Sequence, residues 1–198
     1  MMDQTENSRL AFVEIDQSVL TALSEIWPLV KSGLPLILDA FYDHIASTPE
    51  TAIILESGPG IEALKEAQTE HWRSVFNDGF SADFFDRARR IGAIHSRIGL
   101  DPRWYIGAYA FIQPRLFSLI ARKHKRADKA ARYCNAVAKA IAVDMDLALD
   151  AYNSSGEAEK LKQQVLNLAD TLEREIDQTV EEVMLQASRV AELTNSLA

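Results

Sequence analysis

Ile91-Gly92-Ala93-Ile94-His95-Ser96-Arg97-Ile98-Gly99-Leu100-Asp101-Pro102-Arg103-Trp104-Tyr105-Ile106-Gly107-Ala108-Tyr109 is the stretch on which the reading of this chain turns. It spells helix, tight corner, helix. Gly99 suits the residue that ends a helix in a left-handed turn, and Asp101 followed by Pro102 is an N-cap with proline in the first turn. The helix before the corner extends back to Ser81, a good N-cap, and its spacing puts Phe84, Ala88, Ile91, His95 and Ile98 on one stripe. A histidine therefore sits in an oily row. The helix after the corner runs from Asp101 to about His124, with Pro114 removing one backbone hydrogen bond inside it.

Outward from this stretch, apolar residues recur at three- and four-residue spacings, strand-type alternation is missing, and only 8 Gly and 6 Pro punctuate the chain. The expectation is an all-α protein. Leu10 to Ile15 reads as a short helix, and Asp16 caps a second that reaches about Lys31. Ser32 and Pro35 mark the start of a third, which carries Leu34, Leu38, Tyr42 and Ile45 on one stripe with Ile37 and Phe41 beside it. Tyr42 thus points inward. Thr48-Pro49 ends that helix, and a short segment leads to Ser57-Gly58-Pro59-Gly60. A fourth helix, about Ile61 to Asn77, lines up Leu64, Ala67, His71 and Val75. A seventh begins near Asp128 and buries Tyr133, Cys134, Val137, Ile141, Met145 and Ala148 before the break at Asn153-Ser154-Ser155-Gly156. Beyond it Leu161, Val165, Leu168, Leu172, Ile176, Val183, Val190, Leu193 and Leu197 fall at heptad-like steps, with a stutter between Leu172 and Ile176 and with Thr179 and Gln186 in two seam positions. So narrow a stripe calls for a second copy, and a homodimer is expected. Residues 1–154 read as one helical domain and 155–198 as a coiled-coil linker or the start of a signalling domain.

The composition excludes several classes. With 47% hydrophobic residues in 198 the chain can bury a core, and 21 basic against 29 acidic residues give a net charge of -8, which disfavours non-specific binding to nucleic acid or to an anionic membrane. The basic run Arg122 to Arg126 suits the end of a helix dipole better than a nucleic-acid patch. Cys134 is the one cysteine, and the N-terminus lacks the charged and apolar segments of an export signal. The most apolar window, Trp104 to Ala121, is interrupted by Gln113, Pro114 and Arg115 and reads as a core helix, not a membrane span. A cytoplasmic protein is expected.

The chain has no Gly-rich phosphate loop, paired-cysteine metal site, His-Glu-x-x-His helix or Gly-x-Ser-x-Gly elbow, so no catalytic residue is assigned and an enzyme is not expected. Of four histidines, His44 and His124 lie near helix ends, while His71 and His95 lie on apolar stripes. Spacing alone makes each of the latter an ordinary buried histidine satisfied by a backbone carbonyl.

Leu64-Lys65, His71-Trp72, Phe84-Phe85, Arg90-Ile91, His95, Arg97-Ile98-Gly99-Leu100, Pro102, Trp104-Tyr105 and Ala108 stand in the order of a known family. The chain resembles the globin-coupled sensors, haem-binding sensor domains of bacterial signal transducers, over roughly residues 10 to 153 and most specifically between Arg90 and Tyr109. The resemblance implies a globin-like fold with an extra N-terminal helix, haem b as cofactor and His95 as the proximal iron ligand, its other ring nitrogen donating to a carbonyl such as that of Ile91. Phe41, Leu64, Ala67, Ile91 and Ile98 would line the haem pocket. Tyr42 matches the distal tyrosine, whose hydroxyl donates a hydrogen bond to bound dioxygen. Some relatives carry a hydroxyl residue where this chain has Ala67, so a second distal donor is missing there; Thr69 faces elsewhere. His71 resembles a packing position, and Tyr105 a tyrosine linked to signal transmission.

What this implies is a sensor of dioxygen or another diatomic gas that relays ligation through a dimer interface and the coil to an output, with chemotaxis signalling partners as the expected readers. The composition of Leu161 to Ala198 is similar to the start of a methyl-accepting chemotaxis signalling domain. Two other functions fit the same residues: a freestanding haem globin with oxygen or nitric oxide chemistry, and a cofactor-free helical dimerisation adaptor.

Overall fold

The computed structural model of the protein describes residues 4–154, together with 165–167 and 174. The chain divides into two compact units, Met1–Ser155 and Gly156–Ala198. The expected coil, with its stutter and most of its seam, lies outside the described residues.

All regular structure among the described residues is helical: α1 (Gln4–Phe12), α2 (Gln17–Ser47), α3 (Pro49–Glu56), α4 (Ile61–Asn77), α5 (Ala82–Arg97), α6 (Pro102–Lys123) and α7 (127–154). The caps are those the sequence announces. The Asp16 side chain accepts from the Val19 N–H, Ser81 from Phe84 and Asp101 from Arg103, each satisfying an otherwise orphaned donor of a first turn.

Three expectations about elements need correction. The first helix lies earlier than Leu10 to Ile15, and Glu14 takes a positive φ of 55° in the turn that follows it. The second and third expected helices are one, because α2 runs unbroken through Pro28 and Pro35. A proline strips a hydrogen bond from the carbonyl four residues back; here Ser24, Lys31 and both prolines are exposed, so water can take up the freed carbonyls and the helix continues. The segment after Thr48 is also helical, with Pro49 in the first turn of α3. Along α7 the buried row is Tyr133, Val137, Ile141 and Ala148 as expected, while Cys134 and Met145 are half-buried.

α2 packs chiefly on α4 and α6. Leu23, Ile26, Val30, Leu34 and Leu38 from α2 meet Trp72, Phe84, Phe85, Leu116, Ile120 and Leu147 in one core, where each large side chain removed from water contributes about 1.5–3 kcal/mol. α5 and α7 touch through their backbones, since a Cβ placed on Gly92 would stand 2.5 Å from the Ala148 carbonyl oxygen. α1 straps both: buried Glu6 pairs with Arg89 of α5 at 3.1 Å, and Arg9 pairs with Asp150 of α7 at 3.0 Å and with Asp146. No helix among the described residues is long and apolar enough to cross a membrane.

Candidate functional site

His95 is positioned by the end of its own helix. The Leu100 N–H donates to the His95 carbonyl at 3.0 Å and the Gly99 N–H to Ser96 at 3.1 Å, with Gly99 at a φ of 76°. That paired closure needs a left-handed residue, which glycine supplies without a Cβ penalty. Within the helix the imidazole Nδ1 lies 2.8 Å from the Ile91 carbonyl oxygen. A carbonyl can only accept, so Nδ1 carries the hydrogen and Nε2 keeps its lone pair. Burial pushes the ring's pKa below its ordinary 6.5, against the Ile91 carbonyl and Asp144, which raise it. The result is a neutral imidazole in one tautomer with a free basic nitrogen.

The ring borders a cavity of about 360 Å³. Every residue expected at the site lines it: Phe41 and Tyr42 from α2, Leu64 and Ala67 from α4, Ile91 and His95 from α5, and Ile98 in the corner. Trp104 and Tyr105 of α6 close another side, and Tyr105 stacks edge-on against His95 with ring centroids 5.2 Å apart. Tyr42 is buried, its pKa pushed up to about 12 by that burial and held back by Lys65, so its hydroxyl is neutral and can donate. No backbone oxygen among the described residues accepts from it.

Ala67 leaves no hydroxyl on its part of the wall, and the Thr69 hydroxyl is spent on the Lys65 carbonyl of its own helix at 2.8 Å. The next residue, Gln68, lies off the apolar stripe of α4 and also lines the cavity. Its position one residue from Ala67 was the available signal. His71 lines the cavity too, but its Nε2 lies 3.0 Å from Oδ2 of Asp144 on α7. The Tyr109 hydroxyl donates to the same oxygen, and Tyr105 and Tyr109 hydroxyls lie 3.4 Å apart. Desolvation lowers the His71 pKa, yet the Asp144 carboxylate reverses this and the net direction is upward. Asp144 was legible only as an acid on the apolar row of α7, between Ile141 and Ala148.

The described residues hold no group of three or more His, Cys, Asp or Glu side chains that could bind a bare metal ion. One imidazole nitrogen in an apolar cavity suits a different guest, a flat apolar group that brings its own metal and most of that metal's ligands.

Solved structures with similar folds are the globin domain of a Geobacter sulfurreducens globin-coupled sensor, with a TM-score of 0.68 and 21% identity over 77% of this chain and 99% of that one. Another is the ferric globin domain of E. coli DosC, with a TM-score of 0.60, 15% identity and the same coverage. Among curated proteins, the heme-based aerotactic transducer HemAT of Halobacterium salinarum is 26% identical over 99% of this chain and 43% of its own length, so the chain spans less than half of that relative. The model of the Protoglobin family matches residues 3–158, most of the 198, and the chain carrying His95 in this cavity belongs to the protoglobin family.

Proposed function

We propose that this chain is a haem-based sensor of dioxygen or a related diatomic gas. The observation that carries the reading is the His95 imidazole, fixed by the Ile91 carbonyl so that a neutral Nε2 borders an apolar cavity. Haem, when bound, supplies the iron at which a gas can bind. His95 is the protein's ligand to that iron, and the carbonyl behind it holds the ring's orientation and raises its basicity. Phe41, Leu64, Ala67, Ile91 and Ile98 give the cavity an apolar lining, and a flat group seated on it would displace water from beside His95 and Tyr42, which strengthens any polar contact made there. Tyr42 offers a neutral donor to a bound gas that gathers negative charge, a preference for dioxygen over carbon monoxide.

Uptake of haem by the purified chain tests this. A Soret band that appears on reconstitution and that His95→Ala weakens or shifts supports the reading; no band, or an identical band in the variant, overturns it. The same spectrum separates a haem protein from a cofactor-free adaptor.

Sensing further requires that two states of the chain bind the gas differently, since occupancy alone transmits nothing. The relay to residues 155–198 and the pairing of two copies belong to this proposal. Spin labels in that segment, measured with and without dioxygen, should give different distance distributions.

A further inference from the structure

Asp144 lies on α7 with only 1% of its surface exposed, and among the described residues the cation that pairs with it is His71, not a Lys or Arg. Its Oδ2 is held by two donors from two other helices, the Tyr109 hydroxyl of α6 and Nε2 of His71 of α4. Its Oδ1 has no hydrogen-bond partner among the described residues. A buried carboxylate is tolerated only where its charge is compensated and its oxygens are bonded, so this one depends on that pair of donors. Both donors line the cavity that holds His95. One turn further along α7, the Ala148 backbone presses on Gly92 of α5, three residues before His95. Two successive turns of α7 are thus fastened to three pocket helices, one turn by hydrogen bonds and the next by close backbone packing.

The two fastenings respond differently to movement. Packed apolar surfaces slide by small amounts, whereas a hydrogen bond to a buried charge weakens steeply with distance and angle, so it is either made or broken. A two-position element of this kind is what converts a small shift at a site into a movement of a whole helix. We propose that Asp144 is a positioning residue that couples α7 to the cavity: a change in what the cavity holds displaces His71 or Tyr109, the bonds to the Asp144 carboxylate rearrange, and α7 shifts. The inference rests on the haem-sensor reading and names the residue by which that site reaches α7.

Hydrogen–deuterium exchange of the haem-loaded, ferrous full chain tests it, with carbon monoxide as the probe gas and peptides from α7 as the readout. The wild type should show exchange in α7 that differs between gas-free and gas-bound protein. Asp144→Asn keeps the volume and removes the charge; it should retain the Soret band and carbon monoxide binding but lose that difference. Tyr109→Phe removes one donor and should reduce it, and serves in its place if Asp144→Asn fails to retain haem. A variant pair that raises exchange equally in both states marks a purely structural role and overturns the proposal, as does a wild type whose α7 ignores the gas. A chain that takes up no haem at all overturns instead the sensor reading on which the proposal stands.

Discussion

At Tyr42 a neutral, buried hydroxyl reaches a cavity whose other walls are mostly apolar. Tyr42→Phe removes the donor and leaves the ring against Phe41, 5.2 Å away. The hydrogen bond lost is of the order of 1–2 kcal/mol, so dioxygen should leave the ferrous protein about 5 to 30 times faster. Carbon monoxide, which gathers less charge, should respond less; stopped-flow release of the two gases compares them directly. Gln68→Leu should speed dioxygen release in the same direction, and an unchanged rate would leave Tyr42 as the working donor. A second residue-scale prediction concerns His71. Its folded pKa lies above 6.5 because the Asp144 carboxylate outweighs desolvation, so the folded chain holds this proton more tightly than the unfolded one. The stability this contributes is fully present below pH 6.5 and is lost as pH rises through the folded pKa. Urea unfolding across that range should show wild-type stability falling relative to His71→Gln, and parallel curves would refute the pairing. Sequence spacing placed His71 and His95 alike on apolar rows. What separates them, a carbonyl on their own helix against a carboxylate 73 residues away, is tertiary and was not legible.

Among the elements, α4, α5 and α6 were readable almost to the residue because each opens or closes on a strong local signal: Asp78-Gly79, Ser81, Gly99 and Asp101-Pro102. α2 was not. Ser32 and Pro35 are a local signal for a new helix that holds only where the carbonyl freed by the proline cannot reach water, and which face of the helix that carbonyl occupies is decided by packing on α4 and α6. The α5–α7 crossing was equally hidden, since Gly92 looks like a helix-weakening residue until Ala148 is found against it. A Cβ there would meet backbone at 2.5 Å, with no flexible side chain to yield. Gly92→Ala should therefore cost about 1–3 kcal/mol by overpacking and lower the thermal midpoint by several degrees. Gly99→Ala meets no neighbour but must adopt the φ of 76°, a strain of about 1–2 kcal/mol. Gly107→Ala, inside α6 with open space around it and no positive φ, is the control and should match wild type or exceed it by up to about 1 kcal/mol. Equal midpoints for all three variants would dismiss both arguments.

For the molecule as a whole, association is a contest between apolar area and like charge. The heptad-like row from Leu161 to Leu197 is too narrow a sequence pattern to fold as a globule by itself, and Val165, which belongs to it, is 59% exposed in the single chain. Burying such residues against a second copy is favourable and indifferent to salt. Each copy, however, brings a net charge of -8, and two such copies repel. Exposed charges further apart than a Debye length, roughly 10 Å at 0.1 M salt and about 30 Å at 0.01 M, cease to interact. Added salt therefore removes the opposing effect and leaves the favourable one, so the proposed dimer should tighten in sedimentation equilibrium as salt rises between those two ionic strengths. Leu168→Lys and Leu172→Lys place charge in the seam and should shift the chain toward monomer at both, with the Soret band unchanged because the pocket residues lie elsewhere in the sequence. A dimer that loosens with salt would mean that ion pairs, not the apolar row, hold the copies together.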